Sequence, residues 1–180
     1  LNKLAVGSLD AGILATPLET SGFEEIFLYT EPFYVAINSK HPFASKKNIK
    51  KEDLHGETIL LLEEGHCLRG QALYVCSDSM TKERKDFRGT SLETIRHMVS
   101  AGIGITLIPE TAIDYKNLIK NSSLIYLPFV EPAPARKVGL TYRATSTRKI
   151  CFKKLANLIQ LIIKKEFPNN EKIEVLPVKK

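Results

Sequence analysis

Short apolar runs alternate with stretches whose apolar residues recur every three to four positions, and this alternation predicts an α/β architecture. Residues 11–15 and 58–62 read as buried strands, and residues 103–108 as a further strand ended by Pro109. Residues 26–30 and 33–37 read as two strands separated by Glu31-Pro32, because a proline cannot donate to a central ladder. Residues 124–127 and 137–142 read as strands on either side of Pro128, Pro132 and Pro134.

Between these runs the period lengthens. Thr90 with Glu93 fits a capping box for a helix to about Ser100, stopped by Gly102, with Leu92, Ile95, Met98 and Val99 as its apolar stripe. Residues 66–76 fit one helix and residues 110–115 a short one, while Leu155, Leu158, Ile159 and Ile162 mark a final amphipathic helix. Residues 168–180 read as a loose tail. The two proline-bearing crossings, near 31 and near 135, divide the chain into a discontinuous lobe of residues 1–30 plus 136–180 and an inserted lobe of residues 31–135.

Composition adds little to that picture. At 180 residues the chain is long enough to bury a core as one domain or two small lobes, and 43% hydrophobic with 26% charged residues is ordinary for a soluble protein. No apolar run approaches the ~20 residues that cross a bilayer, and the first residues do not form a signal peptide. The net charge is +6, and lysines gather near the C-terminus at Lys153, Lys154, Lys164, Lys165, Lys172, Lys179 and Lys180. They read as a solvated face, with direct nucleic-acid binding as the alternative. Three cysteines are too few for a secreted disulfide scaffold, so a reducing cytoplasm is the expected setting.

The chemistry gathers at two of those cysteines. Cys67 follows Glu63-Glu64-Gly65-His66 and precedes Arg69, whereas Cys76 closes the apolar run Ala72-Leu73-Tyr74-Val75. A thiol near cationic groups at a helix start can have its pKa drawn below the free value of ~8.5, and the thiolate is the reactive form. An apolar run acts the other way. If residues 66–76 form one helix, nine steps separate the two Cα atoms by roughly 13 Å and place them on opposite faces. A disulfide tolerates only ~4.4–6.8 Å, so joining them would require the segment to unwind. Such an unequal pair suits a peroxide sensor in which one sulfur attacks and the other resolves.

The flanking residues carry a resemblance. Leu62-Glu63-Glu64-Gly65-His66-Cys67-Leu68-Arg69, then Cys76, then 87–96 (FRGTSLETIR) and 98–109 (MVSAGIGITLIP), resemble the regulatory domain of peroxide-sensing LysR-type transcription regulators, the OxyR group. The second half of that block is common to LysR-type effector domains generally; Gly-His-Cys-Leu-Arg with a second cysteine nine residues on is far narrower. Weaker echoes lie at 7–13, 41–44 and 138–143, so the resemblance covers most of the chain and fades after about Glu166.

The resemblance implies a two-lobed, periplasmic-binding-protein-like (type II) effector domain with mixed sheets. It also implies that the family's amino-terminal DNA-binding domain, the first strand–helix unit of the first lobe and the pocket threonines lie outside this chain. Cys67 is then the peroxidatic residue and Cys76 the resolving one, with His66, Arg69 and Arg136 expected around the peroxide and the thiolate. Implied partners are hydrogen peroxide, further copies in a homodimer or homotetramer, DNA through the amino-terminal domain, RNA polymerase, and a reductant such as glutaredoxin or thioredoxin. The expected response is stoichiometric sensing, not enzymatic turnover. An ordinary LysR-type domain taking an organic ligand between the lobes, and a thiol peroxidase, are the alternatives.

Other residues read more plainly. Cys151 has no neighbouring base or partner and reads as structural, Arg88 reads equally as a functional cation or a surface charge, and Asp10 reads as a turn residue. The cysteines and histidines show none of the spacings that hold structural zinc, and no phosphate loop, GxSxG or HExxH element is present, so neither metal nor cofactor is expected.

Overall fold

The computed structural model describes residues 1–18, 20–76, 82–113, 123–167 and 173–175, with backbone alone at 82–87. The chain forms two compact units, one of Leu1–Pro32 with Ala135–Lys180 and the other of Phe33–Pro134.

The first unit is an antiparallel sheet with a helix on one face. Helix α1 (Asn2–Ala5) leads into β1 (Ala11–Thr16), which pairs with β7 (Ala135–Arg143). Strand β7 in turn pairs with the first part of β2 (Phe23–Asn38). Helix α4 (Lys149–Glu166) covers Leu28, Tyr29, Val138, Leu140 and Tyr142 with Phe152 and Ala156. The β2–β7 register shifts between Phe27 and Tyr29. That irregularity leaves carbonyls to satisfy, and buried Gln160 donates its Nε2 to Phe27 O at 3.0 Å and Leu28 O at 3.3 Å.

The second unit has apolar layers on both faces of its strands. The remainder of β2 pairs antiparallel with β5 (Thr106–Pro109) and β6 (Leu124–Pro128), while β3 (Thr58–Leu62) pairs parallel with β4 (Lys82–Gly89). A parallel bridge between Ile59 and Ile105 joins the two groups. Alternation along β3 sends Ile59 and Leu61 into one core with Phe33, Val35 and Leu107. Leu60 and Leu62 enter the other, with Ala36 and Ile108. Helix α2 (Cys67–Cys76) adds Ala72, Val75 and Cys76 to the first core, and α3 (Leu92–Ser100) adds Ile95 and Val99 to the second. The expected α/β class therefore holds, with mixed pairing directions.

Five local expectations need correction. Strand β2 runs unbroken through Glu31-Pro32. Pro32 is tolerated because it forms the last pair with β7, opposite Ala135, and the next residue, Phe33, changes partner to β5. The cap of α3 is Ser91, whose hydroxyl accepts from Thr94 N at 3.1 Å, not Thr90 with Glu93. The strand expected at 103–108 starts later, at Thr106, and the short helix expected at 110–115 is one 3-10 turn at Glu110–Ala112, with Tyr115 outside the described residues.

The fifth concerns α4. Its buried face is Phe152, Ala156 and Gln160 with Ile159 and Ile163 beside them, whereas Leu155, Leu158 and Ile162 of the expected stripe are 42%, 54% and 50% exposed. Apolar residues run around much of this helix, so period alone could not choose the inward face. Strand β4 had no counterpart in the sequence reading, because KERKDFRG carries no apolar alternation. Among the described residues no helix is long and apolar enough to cross a membrane.

Candidate functional site

The cysteine segment lies wholly in the second unit, at the carboxyl end of β3, the end at which ligands bind in parallel α/β sheets. Leu62 closes the strand, residues 63–66 turn, and α2 starts at Cys67. Gly65 takes φ +93° in that turn, a conformation that L side chains rarely adopt. The turn is held at its base by Glu63 N donating to Gly89 O at 3.1 Å. On its outer side Arg88 Nη1 donates to Glu64 Oε1, also at 3.1 Å.

Cys67 and Cys76 are the first and last residues of α2, and both are free thiols. Nine helical steps set their Cα atoms roughly 13 Å apart and half a turn out of phase. The two environments differ as the flanking residues suggest. Cys67 is exposed at the helix start, where backbone N–H groups lack intrahelical acceptors. Cys76 is 4% exposed, among Val75, Ala72, Ile59 and Leu61. Burial pushes its thiol up from the ordinary 9.0 to about 11, because the charged form loses hydration there. Near neutral pH Cys76 is thus a protonated thiol for as long as α2 is folded.

The remaining expected site residues are placed as follows. His66 is exposed in the turn, and its carbonyl accepts from Arg69 N at 3.0 Å. The Arg69 side chain folds back along the chain, and its Nη1 donates to Leu62 O at 3.3 Å. Arg136 belongs to the first unit, where its Nε meets Glu31 Oε1 at 2.8 Å, and Glu31 is fully buried. Cys151 is exposed on α4. Among the described residues no group of His, Cys, Asp and Glu could hold a metal ion.

Two features escaped the sequence reading. One is the Arg88–Glu64 pair that ties the cysteine turn to β4, a partner the sequence did not indicate for Arg88. The other is the Glu31–Arg136 pair. A carboxylate inside the apolar run of residues 26–37 was the available signal for the second, since a buried charge requires a partner. Nothing local announces the first, which joins residues 24 positions apart.

This arrangement can carry thiol redox chemistry with a built-in delay. One sulfur meets solvent, the other is protonated and enclosed, and an intact helix holds them beyond bonding range.

Comparison with known proteins agrees with the motif. The family model described as "LysR substrate binding domain" matches residues 1–161. The hydrogen peroxide-inducible genes activator of Escherichia coli O6:H1 (strain CFT073) is 42% identical over 160 residues, 89% of this chain and 52% of that protein. The chain therefore spans about half the length of such curated relatives. The crystal structure of the oxidized form of OxyR is 42% identical with a TM-score of 0.79, covering 92% of this chain and 77% of that one. The reduced form is 40% identical with a TM-score of 0.78 and the same coverage.

Proposed function

The chain belongs to the LysR substrate-binding domain family as an OxyR-type regulatory domain, and we propose that it is the hydrogen-peroxide-sensing part of a transcription regulator. The observation that carries this reading is the placement of an exposed and a buried cysteine at the two ends of one helix, inside the Gly-His-Cys-Leu-Arg element. The curated relative's name supplies peroxide and gene activation, and the two OxyR crystal forms supply a reduced and an oxidized state.

The chemistry balances as two steps. The Cys67 thiolate attacks one peroxide oxygen and the O–O bond breaks. Sulfur keeps that oxygen as sulfenic acid, and the other leaves as hydroxide, which takes up a proton to become water. Cys76 sulfur then attacks Cys67 sulfur. The S–O bond breaks, and the leaving hydroxide departs as water with the Cys76 thiol proton. Two electrons pass from sulfur to peroxide overall. Closing the bond requires α2 to unwind, so oxidation becomes a change of shape.

Sensing of this kind is stoichiometric, and a thiol reductant such as glutaredoxin or thioredoxin resets it. In the whole regulator the changed surface alters packing in a homodimer or homotetramer bound to DNA through a separate amino-terminal domain, and with it recruitment of RNA polymerase in the cytoplasm. His66, exposed next to Cys67 in the turn, is the residue we assign to meeting the incoming peroxide. The test is mass spectrometry after one equivalent of hydrogen peroxide. A loss of two hydrogens confined to the linked Cys67 and Cys76 peptides is expected, and oxidation at Cys151 alone would sink the reading.

A further inference from the structure

The side chain of Arg69 does something its place in the motif does not announce. It lies in the first turn of α2, two residues after the exposed cysteine, yet its Nη1 reaches back seven residues to the carbonyl of Leu62, the last residue of β3. The bond is partly buried and its donor is charged, and at 3.3 Å it is longer than the ~2.7–2.9 Å of the strongest charge-assisted pairs. It ties the start of α2 to the strand that delivers the chain into the cysteine turn. A narrow cavity of about 10 Å³ lies beneath this tie, bordered by Leu61, Leu68, Arg69, Ala72, Ile95 and Thr106. Further along, Gly70 weakens the helix from within, since glycine loses more backbone entropy than any other residue.

From this geometry we infer that Arg69 is a positioning residue, a latch whose bond to Leu62 O keeps α2 folded and thereby sets the rate at which the sulfenic acid on Cys67 is resolved by Cys76. This rests on the disulfide reading above and deepens it. Resolution needs α2 open, so the observed closure rate is the open fraction multiplied by the intrinsic rate in the open state. A latch lowers the open fraction without touching the attack of the Cys67 thiolate on peroxide. The helix core closes the same gate from the other end, because Cys76 must leave its apolar surroundings to react.

The test separates the two chemical steps in the protein and in Arg69→Met, which keeps the apolar stem and removes the donors. Sulfenic acid is trapped with a dimedone-type reagent, the Cys67–Cys76 disulfide is followed by mass spectrometry, and amide exchange of α2 is measured in the reduced protein. In Arg69→Met, disulfide closure is expected to accelerate roughly 3- to 10-fold, the population shift that one typical hydrogen bond commands. Exchange in α2 rises with it, and the peroxide-dependent rate of sulfenic acid formation stays unchanged. Arg69→Lys, which keeps the charge, lies between the two, and Arg69→Gln takes the place of Arg69→Met should that variant not fold.

Unchanged or slower closure, or unchanged α2 exchange, overturns the latch. So does a fall in the peroxide-dependent rate with closure unaltered, which would make Arg69 a thiolate partner. Absence of the disulfide in the parent protein would defeat the disulfide reading instead, and α2 exchange would still decide whether the latch exists.

Discussion

Cys67 and Cys76 begin and end the same helix, one open to solvent and the other buried in the core cluster that also holds Ala72, Val75, Ile59 and Leu61. Helical geometry thus separates the two thiols, and burial makes them chemically unequal.

Alkylation should expose that inequality directly. At neutral pH iodoacetamide is expected to label Cys67 and Cys151 quickly and Cys76 at least ten times more slowly, because the enclosed thiol must both emerge and ionise. In denaturant the three rates should converge. Equal labelling of all three in the folded protein would contradict the burial of Cys76.

The same burial links stability to alkaline pH. The folded-state pKa of Cys76 lies near 11, above its ordinary 9.0, so the native protein holds a proton that the unfolded chain loses between those values. This contribution is complete below about pH 9 and disappears as pH rises through about 11. At ~1.4 kcal/mol per pKa unit the loss is about 2–3 kcal/mol. Denaturant titrations at pH 8 and 10.5 should show a smaller fall for Cys76→Ala than for the parent, which removes the effect of other titrating groups.

Glu31 is fully buried against Arg136, and the pair is predicted to matter more for folding than an exposed ion pair would. Arg136→Met should destabilise by about 3 kcal/mol, since it leaves a carboxylate without its cationic neighbour in the interior. Adding Glu31→Gln should recover part of that loss. The check is a double-mutant cycle by urea denaturation, with a coupling near zero as the contrary outcome.

Two glycines should respond in opposite directions. A Cβ on Gly104 would stand 2.6 Å from Thr58 O, the acceptor of the Ile105 N bond that ties the residue before β5 to β3, so Gly104→Ala should cost about 1–3 kcal/mol. A Cβ on Gly70 meets nothing within 4 Å. Gly70→Ala should stabilise α2 by about 0.5–1 kcal/mol and slow disulfide closure several-fold. Thermal melts and the closure assay together check both.

Helix α4 offers the plainest contrast. Leu158→Gln, on the exposed side, is expected to change stability by less than about 0.5 kcal/mol, whereas Phe152→Ala, on the buried side, should cost about 3–5 kcal/mol. Comparable losses at the two positions would mean that the stripe of Leu155, Leu158 and Ile162 is covered in solution.

The contrast also marks where local pattern stopped being informative. Residues 58–62, 66–76 and 124–127 were legible because their period, length and bounding residues agree with what they become. The cysteine pair was legible as well: residue spacing on a helix is a local property, and the apolar run 72–75 before Cys76 pointed to burial, although the core that buries it draws on β3 and other distant segments.

What the sequence alone determined, then, was most of the strands and helices but not β4, together with the separation of the two thiols along one helix, all of which depend on residues within a few positions. Tertiary structure decided the rest: which side of α4 turns inward, how Pro32 fits within a continuous β2, and where Arg69, Arg88 and Arg136 send their charges. The reason is physical. A long cationic side chain or a helix with apolar residues on several sides has many partners of similar energy, and only the packed backbone, by bringing distant segments within 3 or 4 Å, selects one.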